Sequence, residues 1–426
     1  MRYLLVLALL IACNRNNSGD DISNPDYSHY DIRLQIEPDR QYIKVDGTLQ
    51  YIVKDDSLDA LILNLHNELQ VSNFSVDGDN SFELDTSDAI TRWLPNAMRI
   101  VHHGKRAFVK GDILDISYSY EGQITQWPSW SANVIGPEWI EMGSYFPWYP
   151  SFYGLFTYSL EVDLDPRYRV VAHGSDPGDS KKRIFVSERP IGDFIVCSSK
   201  DLEVIRTDIN PHSFLIANAA LSNPMVSMLQ SEIEQYYHHF TKWFGDIDQQ
   251  DMLLVLSKRE NGGGYSRGGG LFLGGFSDSV YRDNRTDHVL YLSHEVAHQW
   301  WHGADNNWED WLNEGFAEYS AMMLLRALYG DHEFASRLNA KQIEILNTPP
   351  IWNLDRNSPT AQSVLYNKSV IILNRFEEKI GTERFKYLLH ERVAKNINKT
   401  TELLSLIEDR EGTEIRDWFE NQLRTR

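Results

Sequence analysis

The hydrophobic pattern of this chain changes period once, near residue 217, and that single change limits the folds open to it. In YDIRLQIE the apolar positions Tyr30, Ile32, Leu34 and Ile36 alternate with polar ones, and FTYSLEVDLD repeats the pattern through Phe156, Tyr158, Leu160, Val162 and Leu164. A period of two places alternate side chains on one face of a strand. Turn signals such as VDG, HHGK and SDPGD punctuate the runs. Residues 27–217 are therefore expected to form a β-domain, a sandwich or an open, saddle-like sheet. In NPMVSMLQSEIEQYYHHFTKWFG the spacing turns helical: Asn223 reads as an N-cap, Pro224 as the first helical residue and Gly245 as the stop. Met225, Met228, Ile233, Tyr236 and Phe240 would form its apolar face. Residues 218–426 are expected to be a mainly helical domain with one strand, DMLLVLS, and a glycine-rich stretch, NGGGYSRGGG. At 426 residues the chain exceeds one ordinary core, so the predicted class is α+β with two domains.

The N-terminus, MRYLLVLALLIACNRNNSGDD, has one Arg and an apolar run too short to span a bilayer. Residues 1–12 read as a secretory signal. Ala12 before Cys13 resembles the lipobox of bacterial lipoproteins, which implies a lipid on Cys13 and a polar tether over residues 13–26. The expected location is extracytoplasmic, on the periplasmic or cell-surface side of a bacterial membrane. Cys197 in FIVCSS is then alone, so no disulfide supports the fold, and it reads as a buried strand residue. With 41 basic against 61 acidic residues the formal charge is −20, which repels phosphate backbones and argues against a nucleic-acid partner.

The chemistry is concentrated in SHEVAHQWWHG. On a helix, His294 and His298 lie one turn apart on one face and can offer two imidazole nitrogens to one ion, while Glu295 is rotated towards a metal-bound water. This is the HExxH arrangement of zinc hydrolases. A catalytic zinc held by two histidines needs a third protein ligand and an open position for water. WEDWLNEGFAEYS supplies Glu314 as that ligand, and Glu318 four residues on is placed to accept the free ring N–H of a ligand histidine. The expected cofactor is one Zn²⁺.

HEVAHQWW followed by WLNEGFAEY resembles the aminopeptidase N family of gluzincin metallopeptidases, which includes leukotriene hydrolase. The resemblance extends to YDIRLQIEPDRQYIKVDGTLQYIV, similar to that family's N-terminal β-domain, and implies a thermolysin-like catalytic domain. VLYNKSVIILNRFEEKIG is similar to the family's Tyr-x-Lys-Gly segment, with Ser369 in place of the glycine, and implies Tyr366 as the donor to the oxyanion. Together these imply a metallopeptidase acting on peptides. Glu295 would be the general base, and removal of N-terminal residues would be the leading specificity.

Three departures from the family bear on substrate. Fifteen residues separate His298 from Glu314, fewer than usual in the family, and His302 lies nearby without a family role, read as structural. Where the family has Gly-x-Met-Glu-Asn, whose glutamate holds the substrate's α-amino group, this chain has Gly264, Tyr265, Ser266 and Arg267. Glu138 and Glu141 in PEWIEMGSYFPW are expected substitutes for that carboxylate. The resemblance also ends with TTELLSLIEDREGTEIRDWFENQL, so the large helical domain of many relatives is expected to be missing and the cleft more open. An endopeptidase, or a peptidase for modified termini, is the alternative within the enzyme class. A binding protein that kept the fold and lost catalysis is disfavoured because ligands, base and tyrosine are all present.

Overall fold

The computed structural model describes residues 26–86, 94–128, 131–143, 146–174, 183–209, 212–247, 251–259 and 263–426. The expected signal segment, Cys13 and most of the tether lie outside the described residues. Among the described residues, no helix is long and apolar enough to cross a membrane.

The alternation at Tyr30 becomes the strand Ser28–Glu37, at the centre of a six-stranded sheet. It pairs antiparallel with Tyr42–Ile52 and parallel with Phe156–Asp163. Tyr30, Ile32, Leu34, Phe156, Tyr158, Leu160 and Val162 are all buried in one core, which is what a period of two predicts for a sheet with one dry face. Burying side chains of this size contributes roughly 1.5–3 kcal/mol each. A smaller sheet orders Val134–Ile135, Ile140–Met142, Val196–Ser199 and Arg169–Ala172. Cys197 sits in it, a fully buried strand residue.

The second half opens with a sheet of its own. Strands Glu203–Ile209 and His212–Asn218 pair with each other, and the latter runs parallel to Asp251–Leu256. The sheet continues through Gly270–Gly274 to the edge strand Gly263–Arg267. The division expected at 217/218 therefore falls near residue 202. Period two could not mark the border, because it continues from the first domain's strands into the second's.

Both faces of this sheet are covered. Leu254, Leu256, Leu271 and Leu273 join the helical core, while Leu253, Val255 and Phe272 pack with Trp139, Val171, Ile195 and Cys197 from the first half. The second set forms the seam between the halves.

The helix over Asn223–Phe244 begins one residue earlier than expected, with Ser222 as its N-cap, and Gly245 ends it at a φ of 89°. Its buried face is Val226, Leu229, Ile233, Tyr236, Tyr237, Phe240 and Phe244, so Met225 and Met228 lie at the margin and not at the centre. Helices Arg285–Ala297 and Trp311–Tyr329 pack against each other in the same core and carry the candidate metal ligands.

Candidate metal centre and cleft

His294 is in the last turn of helix Arg285–Ala297, and His298 caps it in helical conformation. Each ring is fixed by its Nδ1. That of His294 lies 2.8 Å from Glu318 Oε2, and that of His298 lies 3.0 Å from the Trp301 carbonyl. With Nδ1–H donating in both, each Nε2 presents a lone pair to a common point.

Glu314, on the facing helix, completes the group. The two Nε2 atoms are 3.2 Å apart, and Glu314 Oε2 is 3.3 Å from that of His294 and 3.4 Å from that of His298. A tetrahedral ion with bonds of about 2.0–2.1 Å requires ligand atoms about 3.3 Å apart, the geometry of zinc with nitrogen and oxygen donors. Glu314 Oε2 is buried with no hydrogen-bond donor, an expensive state for a carboxylate unless a cation fills the centre. Among the described residues these three form the group able to hold a metal. The donor set fits one Zn²⁺.

Without a metal the group is a carboxylate among protonated imidazoles: burial would lower His294 and His298, but Glu314 raises both. Burial would raise the Glu314 carboxyl, but the imidazoles of His298 and His294 hold it well below the usual carboxylate range. Burial likewise opposes ionisation of Glu318, yet the His294 hydrogen bond and the Lys341 charge bring it down to about 2. Lys341 Nζ is 2.6 Å from Glu318 Oε1 and 2.9 Å from Asn367 Oδ1. No sequence motif pointed to Lys341; it arrives from the next helix, Asp331–Glu344.

Glu295 is buried beside the triangle, and its pKa is raised by burial against the lowering pull of His294 and His298. Gly264 on the edge strand lies directly against it. A Cβ there would stand 2.6 Å from the Tyr291 hydroxyl and 3.0 Å from the Glu295 carboxyl, so the base and the strand meet only because residue 264 lacks a side chain.

Tyr366 lies in a π-helical turn over Ser363–Lys368, a distortion frequent at functional sites. Its ring stacks on His294 with centroids 5.6 Å apart. Ser369 is fully buried, and a Cβ on Gly315 would come 2.4 Å from its own. The small residue that lets the two helices touch is thus supplied by Gly315, with serine on the opposite side. His302 lines the cleft, its Nδ1 3.1 Å from the His298 carbonyl, and is not part of the ligand set.

The triangle opens into a cleft of about 2020 Å³ bordered by both halves of the molecule, with Gly264, Tyr265, Ser266 and Arg267 along one side. Neither expected substitute carboxylate serves that cleft. Glu138 is exposed and outside its lining. Glu141 is fully buried and accepts hydrogen bonds from Trp139 Nε1 at 2.9 Å, Ser257 Oγ at 3.0 Å and the Tyr265 hydroxyl at 2.8 Å, with Arg259 Nε at 3.3 Å. Its oxygens are saturated by groups spanning the seam, so both placements are corrected. Tyr265, stacked on Phe272 at 4.9 Å, directs its hydroxyl into the seam as well.

A two-part α+β fold with an HExxH helix and a third candidate ligand from the following helix is the arrangement expected of a gluzincin-type metallopeptidase. Residues 276–421, which include the triangle, match the model described as the Peptidase family M1 domain. Endoplasmic reticulum aminopeptidase 1 of Homo sapiens is 28% identical over 126 residues, covering 26% of this chain and 13% of that protein. Leucine aminopeptidase 2 of Eremothecium gossypii is 26% identical over 191 residues, covering 42% of this chain and 29% of the relative. The matched stretches are thus a minor part of those longer proteins. In fold, an M1 zinc metallopeptidase from Deinococcus radiodurans superposes with a TM-score of 0.69 at 18% identity, covering 94% of each chain. Leukotriene A4 hydrolase from Saccharomyces cerevisiae gives 0.65 at 18% identity, covering 96% of this chain and 70% of the other.

Proposed function

We propose that this protein is a zinc-dependent peptidase that hydrolyses peptide bonds, with removal of N-terminal residues as its leading mode. The observation that carries the reading is the His294, His298 and Glu314 triangle, closed to zinc dimensions with the Glu295 carboxylate beside it. His294, His298 and Glu314 would hold zinc, which when bound would supply a Lewis acid for the scissile carbonyl and acidify the attacking water. Glu295, buried beside the triangle, would take a proton from the attacking water and return it to the leaving amine. Tyr366, from its place over the His294 ring, donates its hydroxyl hydrogen to the oxygen that gains negative charge. Glu318 and Lys341 keep His294 in the tautomer that binds metal.

The relatives' names support the aminopeptidase mode. A second reading, an endopeptidase or a peptidase for modified termini, is supported by the saturation of Glu141 and by Ser266 and Arg267 on the cleft side. One experiment separates them: mass spectrometry of a peptide pool, half of it N-terminally acetylated, incubated with zinc-loaded protein and with Glu295→Gln as the blank. Loss of single residues from free peptides alone supports the first mode, and cleavage of acetylated peptides the second. Hydrolysis by Glu295→Gln at full rate with zinc bound would overturn the mechanism.

We further propose, from the sequence, that acylated Cys13 tethers the enzyme to a bacterial membrane on its extracytoplasmic side. Cys13→Ala should move it from the membrane to the soluble fraction; an unchanged membrane fraction would refute the tether.

A further inference from the structure

The chain carries a formal charge of −20, yet the wall of the cleft contributed by the β-half and the edge strand is cationic. Arg189, on strand Ile184–Ile191, and Arg267, at the end of Gly263–Arg267, both line it. The two strands meet there: a Cβ on Gly268 would stand 3.0 Å from Ile191 and 3.2 Å from His173 Nε2. Arg267 Nη1 donates to the Ser266 carbonyl at 2.8 Å. Asp246, Asp305 and Asp310 also line the cleft but come from the helical half, as do Arg356 and Arg392. Glu141, an acid of the β-half that bonds the edge strand, is fully buried and engaged by Trp139, Ser257 and Tyr265.

We infer that this wall binds a substrate carboxylate, so that the enzyme selects peptides with Asp or Glu at the residue preceding the scissile bond. The inference rests on the peptidase reading and deepens it. Gly264 abuts the base, and Arg267 is three residues farther along, about 10 Å away, on the Tyr265 face but at the strand's end, where its side chain still lines the cleft. A guanidinium at that separation reaches the side chain of the residue whose carbonyl lies over Glu295. It pairs with a carboxylate through two parallel N–H donors and repels an ammonium. Ser266, between them, is neutral and tolerates either a free or an acylated amino group.

The test uses zinc-loaded protein and peptides differing only at the residue before the cut: Glu, Gln, Ala or Lys, each with free and acetylated N-termini. The Glu peptide should exceed Gln by about tenfold in kcat/KM. Arg267→Gln should remove that advantage, and Arg267→Glu should turn the preference towards Lys. Equal cleavage of Glu, Gln and Lys peptides, or an advantage that survives in Arg267→Gln, would overturn the inference. Calorimetric binding of the same peptides to Glu295→Gln protein with Arg267 intact gives a second reading, in which the advantage of Glu should shrink as salt is raised. If the wild type cuts nothing while that variant still binds the Glu peptide more tightly, the carboxylate site stands and the hydrolytic reading fails. Equal binding of all four, with no cleavage, overturns both.

Discussion

The Glu141 carboxylate accepts a hydrogen bond from the Tyr265 hydroxyl at 2.8 Å, and through that bond the β-half holds the strand that borders the metal centre. The same carboxylate faces Arg259, whose Nη2 donates to the Gly263 carbonyl at 2.9 Å, so the strand is held at its start and its middle. Removing one partner of a buried, hydrogen-bonded charge pair costs about 3–5 kcal/mol. Glu141→Ala should therefore lower stability to denaturant by that amount. Tyr265→Phe should cost about 1–3 kcal/mol, because one carboxylate oxygen loses its donor. The double variant should fall short of the sum, as expected of residues in contact. Strictly additive losses in urea unfolding would show that the two residues do not act as one unit.

The candidate metal group was legible in the sequence and this seam was not, for a physical reason. His294 and His298 are one helical turn apart, and Glu314 and Glu318 repeat that spacing on the next helix, so local periodicity together with zinc's need for a third ligand pointed to the candidate set. Glu141 meets Ser257 and Tyr265 more than a hundred residues away, and nothing local distinguishes a carboxylate with four partners from a surface acid. Alternation likewise identified the strands but not the border between domains, since sheets on both sides of residue 202 share one period. The neighbours of Glu318 and Ser369, Lys341 and Gly315, became visible only once the helices were packed.

Zinc should contribute to stability as well as to chemistry. Glu314 Oε2 is buried without a donor, so metal removal leaves an uncompensated oxygen at the centre. A ligand at a thousand times its dissociation constant stabilises the folded form by about 4 kcal/mol. Chelator-treated protein should melt several degrees lower by scanning calorimetry, and added zinc should restore it. A melting temperature indifferent to metal would mean that the triangle does not bind it.

Glu318 and Lys341 act on the metal through His294. Glu318→Ala, and to a lesser degree Lys341→Met, should weaken zinc binding about 10–100-fold, the usual effect of losing the group that orients a ligand histidine. The measurement is competition against a chelating dye. Unaltered affinity in Glu318→Ala would show that His294 is oriented by packing alone.

Tyr366→Phe keeps the ring that stacks on His294 and removes only the hydroxyl. Zinc affinity and KM should be nearly unchanged, while kcat falls about 10²–10³-fold, the loss seen when one oxyanion donor is deleted. A rise in KM at constant kcat would instead assign the hydroxyl to substrate binding.

His173 makes acidification costly. Burial, partly offset by a hydrogen bond with the Arg267 backbone, lowers its pKa to about 4, and its Nε2 is buried without a partner. An unfolded histidine titrates near 6.5. Between these values the unfolded chain binds more protons than the folded one, so the stabilisation is complete above about pH 6.5 and is lost as the pH falls towards 4. The displacement from 6.5 to about 4 corresponds to roughly 3 kcal/mol. Urea unfolding at a series of pH values should show this loss in the wild type, and His173→Gln should flatten the slope across that window. An equally steep slope in the variant would place the acid sensitivity elsewhere.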